Sequence, residues 1–440
     1  MVRWIIGLYH ETDNKIEGKT GWLIKDILIL SGCICVAIFI VVRCFLGTEI
    51  TDEAYYVADA KAMLEGNLPY AYCTYSYGSG SCFLLIPLIA LYRVFQPELA
   101  GVFLYSRLCF VLMWYMILFV IYKILCKNVK RCHALLFVGM LIPYKPGLTL
   151  WNFSYNTVPS ALMLLVTFLL YDAIENKSKW NNFEILLSGL VSGIAFFAQP
   201  GYGMAIAIFI GLLLVRSHGK NTGIKNIFLY GIGGVIELCV VFIPIIVQVG
   251  LATTVAGVSR YFNGYPSNTS MSVTTPFSRM VSLVVEFRHF VILFVLLFAV
   301  IYITAKRYVR ENEQKLSCVE YGYVGIAAAG CMLAGSFLKS STHSESITYM
   351  LGMVGVITYC VLWIAGACKK QILLLYVGLY PILFAVGEAV MVDSDNIIGR
   401  FTATVPTFAI CVFFFMEEKS ELIRMLAVVT AVVCVLELGL

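Results

Sequence analysis

Charge is what this chain has least of. Asp, Glu, Lys and Arg make up 13% of its 440 residues, against 60% hydrophobic residues, whereas soluble domains run near a quarter charged. Its longest polar stretch is too short to bury a core, which argues against a separate soluble domain. No CxxC pair and no Cys/His metal spacing occurs among the 15 cysteines. Most of these, including Cys33, Cys109, Cys239 and Cys360, sit inside apolar runs, where they act as small hydrophobes. Periodic repeats and low-complexity tracts are also missing. The first roughly 20 residues are polar and mixed in charge, and the apolar run that follows lacks a small-residue cleavage site, so no cleavable signal peptide is expected. The net charge of +5 is scattered over loops, so nucleic acid is not an expected partner.

What the chain has instead is a succession of apolar runs, with a mean hydropathy of +0.87. About 20 apolar residues cross a bilayer, and without water each crossing must satisfy its own backbone as a helix. The expected fold is therefore all-α, a polytopic transmembrane bundle of about 12–14 apolar helices. The expected spans are 26–47, 81–95, 101–122, 133–150, 155–171, 184–199, 202–216, 226–250, 289–305, 321–338, 346–366, 371–392, 398–416 and 423–440. Basic clusters at Arg3 to Lys25, Lys123 to Arg131, Lys177 to Lys179, Arg216 to Lys225 and Lys306 to Lys315 mark the cytoplasmic side. External loops then cover 48–80 and 251–288, the second rich in turn residues such as Gly264, Pro266 and Asn268. Residues 1–250 form one module, 251–288 a loop, and 289–440 the C-terminal helices. Orientation leaves one run too many between Asp52 and Lys123. The 15-residue run 81–95 is short for a span, so it is expected to dip in without crossing.

The scarce polar segments are where chemistry is sought. Glu49 to Gly66 reads EITDEAYYVADAKAMLEG, with Asp52 and Glu53 side by side beyond the first span. Thr51 or Asp52 can cap a helix that Gly66 ends. Ala54, Tyr55, Ala58, Ala62 and Met63 share a side at helical spacing, which describes an amphipathic helix on the outer surface. Asp52 suits an N-cap, with Glu53 favoured by the helix dipole, and it equally suits a general base. Tyr55, Tyr70, Tyr72, Tyr75 and Tyr77 crowd the first loop, and interfacial anchoring is the plain reading for them. Arg107 and Glu237 lie inside spans, where ionised groups take partners, and are read as structural. His343 is read as solvated. Cys73 and Cys82 are the pair close enough in the first loop to form a disulfide. Asn152-Phe-Ser154 and Asn268-Thr-Ser270 match the glycosylation sequon, relevant in a secretory-pathway host.

The run TDEAYYVADAKAMLEGNLPYA, followed by SYGSGSCFLLIPLIALYRVFQPELAGVFLYSRL, resembles the opening of GT-C glycosyltransferases, a superfamily that includes protein mannosyltransferases and lipid A aminoarabinose transferases. The shared pattern is an acidic residue after the first span, a Tyr-Ala helix ending in Leu-x-Gly, a Pro-containing apolar run, and an Arg at the next span, here Arg107. The stretch from Trp151 to Leu214, with Gly189 and Gly193, and the late GRFTATVP, with Arg400, Phe401 and Pro406, are also similar. Where many relatives have a Lys after the Gly-x-x-x-Gly span, this chain has Gln199-Pro200.

The resemblance implies transfer of a sugar from a polyprenyl-phosphate donor to an acceptor hydroxyl, with inversion, at the outer face. A hydroxyl acceptor needs a base, for which Asp52 is taken first and Glu53 second or as support. A leaving lipid phosphate calls for cations. Arg400 is taken first, then Arg260 and Lys145, and snorkelling from a helix end is the plain alternative for these. Tyr55, Tyr75 and Tyr77 are the sugar-contacting candidates. No cofactor is expected, and a divalent metal stays open. The expected partners are the lipid donor, a saccharide, lipid or protein acceptor, and the bilayer of a bacterial plasma membrane. Two other classes stand beside this one. A transporter or flippase of lipid-linked saccharide would favour internal repeats and broken helices, and no repeat is visible. A polysaccharide polymerase or ligase would centre on a late external loop, and Arg260, Arg279 and Arg288 lie in 251–288.

Overall fold

The computed structural model describes residues 21–46, 52–69, 80–129, 131–142, 151–155, 157–176, 178–217 and 220–263, together with Tyr376. These are helical, with no ladder of strands among them. In chain order the helices are α1 (Gly21–Arg43), α2 (Asp52–Leu64), α3 (Gly80–Phe95), α4 (Val102–Leu125), α5 (Arg131–Leu141), α6 (Thr157–Ile174) and α7 (Asn181–Ala198). A 3-10 turn (Pro200–Tyr202) leads to α8 (Gly203–Arg216), α9 (Lys220–Val249) and α10 (Leu251–Asn263).

α6 is the centre of the bundle. It is apolar all round, and every residue in it except Leu165 is buried, as a helix surrounded by others must be. Its start is fixed by a reciprocal cap. The Thr157 amide donates to Ser154 Oγ at 3.1 Å, and the Ser154 amide donates to Thr157 Oγ1 at 3.0 Å, satisfying two donors that the first turn would leave orphaned. The stretch Trp151 to Ser154 is itself buried, Asn152 included. The sequon at Asn152 is therefore closed to a glycan.

α7 and α9 run side by side in backbone contact. A Cβ on Gly189 would stand 1.9 Å from the Tyr230 carbonyl oxygen, and one on Gly233 would stand 2.0 Å from that of Leu186. Only glycine permits such an approach, the small-residue packing common between membrane helices. Tyr230 then donates to Ser192 Oγ at 2.7 Å.

Polar contacts gather at the two ends of the bundle. At one end Lys127, just past α4, meets Asp172 of α6 at 2.5 Å. Nearby, Arg216 of α8 takes Glu175 through Nε at 2.9 Å and Nη2 at 3.0 Å, and Tyr376 donates to the same carboxylate at 3.1 Å. The other end is built from the start of α4, the cap of α6, the end of α7, and both α2 and α3. α3 begins there, since Ser81 donates to the Ser154 carbonyl at 2.9 Å. It finishes there too, since Tyr92 stacks on Tyr105 in the first turn of α4 with ring centroids 4.5 Å apart. Both ends of the helix thus pack at this end of the bundle.

The expected spans over 26–47, 101–122, 155–171, 184–199, 202–216 and 226–250 correspond to α1, α4, α6, α7, α8 and α9 within a few residues. Two boundaries differ. The helix expected over 133–150 is described only as α5, Arg131–Leu141. Residues 251–263, read as the start of a loop, form α10, in which Thr254 and Gly257 are the buried positions. Gly250 adopts φ +83°, a left-handed turn that ends α9 and lets α10 start at once. The spans expected beyond residue 263 lie outside the described residues.

Candidate functional site

The site end is organised by one ion pair. Arg107, in the second turn of α4, donates from Nε to Glu53 Oε1 at 2.7 Å and from Nη2 to Glu53 Oε2. Its Nη1 donates to the Cys44 carbonyl, just past α1, at 3.1 Å. Glu53 is 3% exposed and Arg107 4%. Both carboxylate oxygens and the planar fork are therefore used, the geometry that makes Arg–carboxylate pairs strong. This pair joins α1, α2 and α4 at a single point. Arg107 is structural, as its place inside a span suggested, and Glu53 is its partner.

That anchor decides which face α2 buries. Glu53, Tyr56, Val57, Ala60 and Met63 are buried, spaced three and four residues apart as one helical stripe requires. Of the stripe expected from the sequence, Met63 is buried, Ala54 and Ala62 are partly buried, and Tyr55 and Ala58 face outward. Tyr55 is 51% exposed, and Ala58 is exposed. Apolar spacing within the helix does not report Glu53 as a buried residue. Arg107 permits that burial by neutralising Glu53 inside.

α2 ends as expected. Asn67 N–H donates to the Ala62 carbonyl at 3.0 Å and Gly66 N–H to that of Met63 at 3.1 Å, with Gly66 at φ +93°. Such paired closing bonds need a left-handed residue, which glycine supplies. Gln248 at the end of α9 reaches the Gly66 carbonyl at 3.4 Å, and Tyr56 accepts from the Tyr155 amide at 3.2 Å. The end of α7 closes on the start of α3 so tightly that a Cβ on Gly80 would lie 2.3 Å from the Ala198 nitrogen. Gln199, which follows the Gly189–Gly193 helix, is fully buried.

Asp52 opens α2, next to the anchored Glu53. Seven residues on, Asp59 returns to the same face of the helix, since seven residues make nearly two turns. Asp59 is half-buried and has no hydrogen-bonding or ionic partner among the described residues. Burial pushes its carboxyl up to about 6, because desolvation disfavours the charged form. The sequence reading passed over Asp59, although its spacing from Asp52 was the available signal. Beside it, Cys82 is buried and free, its thiol 3.8 Å from the Tyr56 carbonyl. Cys73, considered from the sequence as its disulfide partner, lies outside the described residues.

Arg260 stands in the last turn of α10 and is exposed. Lys145, Tyr75, Tyr77, Arg400 and His343 lie outside the described residues; of the rest of the expected set, Asp52 opens α2, Glu53 is buried against Arg107, and Tyr55 is exposed on the outer side of the same helix. Among the described residues no group of three or more metal-ligating side chains occurs.

Fold and site together define a helical protein in which four helices, α4, α6, α7 and α9, are long and apolar enough to cross a membrane. No family model, curated protein or solved structure matches the chain.

Proposed function

We propose that the chain is an integral membrane glycosyltransferase that moves a sugar from a polyprenyl-phosphate donor to an acceptor hydroxyl at the outer face of a bacterial plasma membrane. The observation that supports this reading most is the Glu53–Arg107 pair. It fixes the acidic helix α2 at one end of the bundle and occupies Glu53, so the base is assigned to Asp52, one residue earlier, with Asp59 a second carboxylate on the same helix. The resemblance of the sequence around it to GT-C enzymes points the same way.

In this mechanism Asp52 accepts the proton of the acceptor hydroxyl as its oxygen attacks the anomeric carbon. The bond from that carbon to the phosphate oxygen breaks on the opposite face, and the electron pair leaves with the lipid phosphate. The anomeric centre inverts. Arg400, with Arg260 and Lys145 in support, meets the charge growing on the phosphate. Tyr55, Tyr75 and Tyr77 offer rings to the sugar.

The test is reconstitution in vesicles with a polyprenyl-phosphate sugar. A transferase releases free polyprenyl phosphate and a glycosylated acceptor. Exchange of intact donor between leaflets without bond cleavage would replace this reading with transport.

A further inference from the structure

Glu237 stands at the middle of α9, a helix apolar and long enough to cross a membrane, and it is 4% exposed. Both of its carboxyl oxygens are buried and without a hydrogen-bond partner among the described residues. An acidic side chain inside a span normally has a partner or a purpose.

α7 encloses it. A Cβ on Gly193 would lie 2.9 Å from Glu237 Oε2 and 3.2 Å from its Cβ and Cγ, so the glycine is what leaves space for the carboxyl. The contacts of Gly189 with Tyr230 and of Gly233 with Leu186 hold the two backbones together on the N-terminal side of this level.

The charged and titratable groups on the surrounding elements are occupied or distant. Glu184 in the first turn of α7 accepts from Ser178 at 2.8 Å. Arg216 of α8 is taken by Glu175, and Tyr230 donates to Ser192. Arg260 of α10 is exposed, and Lys225 of α9 is twelve residues away, about 18 Å along the helix. None of them compensates a negative charge at Glu237, and an uncompensated charge in this setting is strongly disfavoured.

We propose that Glu237 is a proton-binding site within the α7–α9 pair, holding its proton while the two helices are in backbone contact and releasing it when they part and water enters. Proton binding and helix closure are then linked, each favouring the other. α7 ends against the start of α3 at Gly80, so parting of the pair is felt at the Glu53 end of the bundle. This site is independent of sugar transfer and stands or falls without it.

The test uses N,N′-dicyclohexylcarbodiimide, an apolar reagent that adds to protonated carboxyls within membranes, on the full chain in vesicles over a pH series. Peptide mass spectrometry is expected to locate the adduct on Glu237. Its rate should fall about tenfold for each pH unit above the midpoint, as proton occupancy does. Glu237→Gln should lose the adduct, Glu237→Asp should retain it, and a water-soluble carbodiimide should give none. If Glu237→Gln fails to fold, peptide mapping of the wild type decides alone. Absence of the adduct at every pH, a rate indifferent to pH, or equal labelling by the water-soluble reagent would overturn the proposal. Suppression by sodium at fixed pH would overturn it in favour of a metal-cation site.

Discussion

Arg107 and Glu53, 54 residues apart in sequence, meet fork to fork with both side chains buried. Removing one partner of such a pair strands a buried charge, which costs about 3–5 kcal/mol. Arg107→Ala is therefore expected to lower the melting temperature sharply in detergent. Replacing both residues, as in Glu53→Leu with Arg107→Met, should recover much of the loss, because no charge is then stranded. A single Arg107→Ala variant that melts like the wild type would contradict this role.

The approach of α7 to α9 gives a second expectation. Gly189→Ala and Gly233→Ala each push a methyl into a carbonyl of the facing helix. Overpacking of this kind costs about 1–3 kcal/mol. Gly211, where a Cβ would meet nothing within 4 Å, is the control and should tolerate alanine. Thermal melts of the three variants measure the contrast, and equal stability of all three would rule out the close contact.

Asp59 makes a pH-dependent contribution whose sign follows from its environment. Burial raises its folded pKa to about 6, above the unfolded value near 3.9. Between these values the folded state holds a proton that the unfolded state has released, so stability falls as pH rises through this window and levels off above it. Asp59→Asn should flatten that part of the curve. Denaturant unfolding of both proteins from pH 4 to 7 checks it, and a wild-type slope unchanged in Asp59→Asn would exclude Asp59 as its source.

Much of this end of the molecule was legible in the sequence, and the failures have definite causes. Apolar length marked α4, α6, α7 and α9, because a membrane-length run has few alternatives to a helix. Gly66 marked the end of α2, because a left-handed closing residue has a sequence signature. The run 81–95 was set apart by its shortness, and both ends of α3 pack at the α2 end of the bundle. The buried face of α2 was missed because it depends on Arg107, far along the chain, and no local pattern reports a distant counter-charge. α10 was missed because a short helix that mixes Thr253, Thr254, Gly257, Ser259 and Asn263 with its apolar residues differs little from a loop in composition. Asp59 was passed over because its half-burial comes from packing of α2 on α3, which spacing within one helix does not show.

Arg400 carries an expectation from its sequence motif. If it holds the donor phosphate through a two-point contact, Arg400→Lys keeps the charge and loses the fork, giving a partial defect. Arg400→Ala should weaken donor binding much more. Donor binding to folded protein in detergent separates this from snorkelling at a helix end, where Lys would serve as well as Arg. Unchanged binding in Arg400→Ala would remove Arg400 from the site.

Single-turnover transfer from a polyprenyl-phosphate sugar, compared between wild type and Asp52→Asn, tests the central proposal most directly. Asparagine keeps much of the capping ability of aspartate but cannot accept the acceptor's proton, so the melting temperature should hold while transfer falls by roughly 10²-fold or more. Near-normal transfer by a folded Asp52→Asn protein would contradict the role assigned to Asp52.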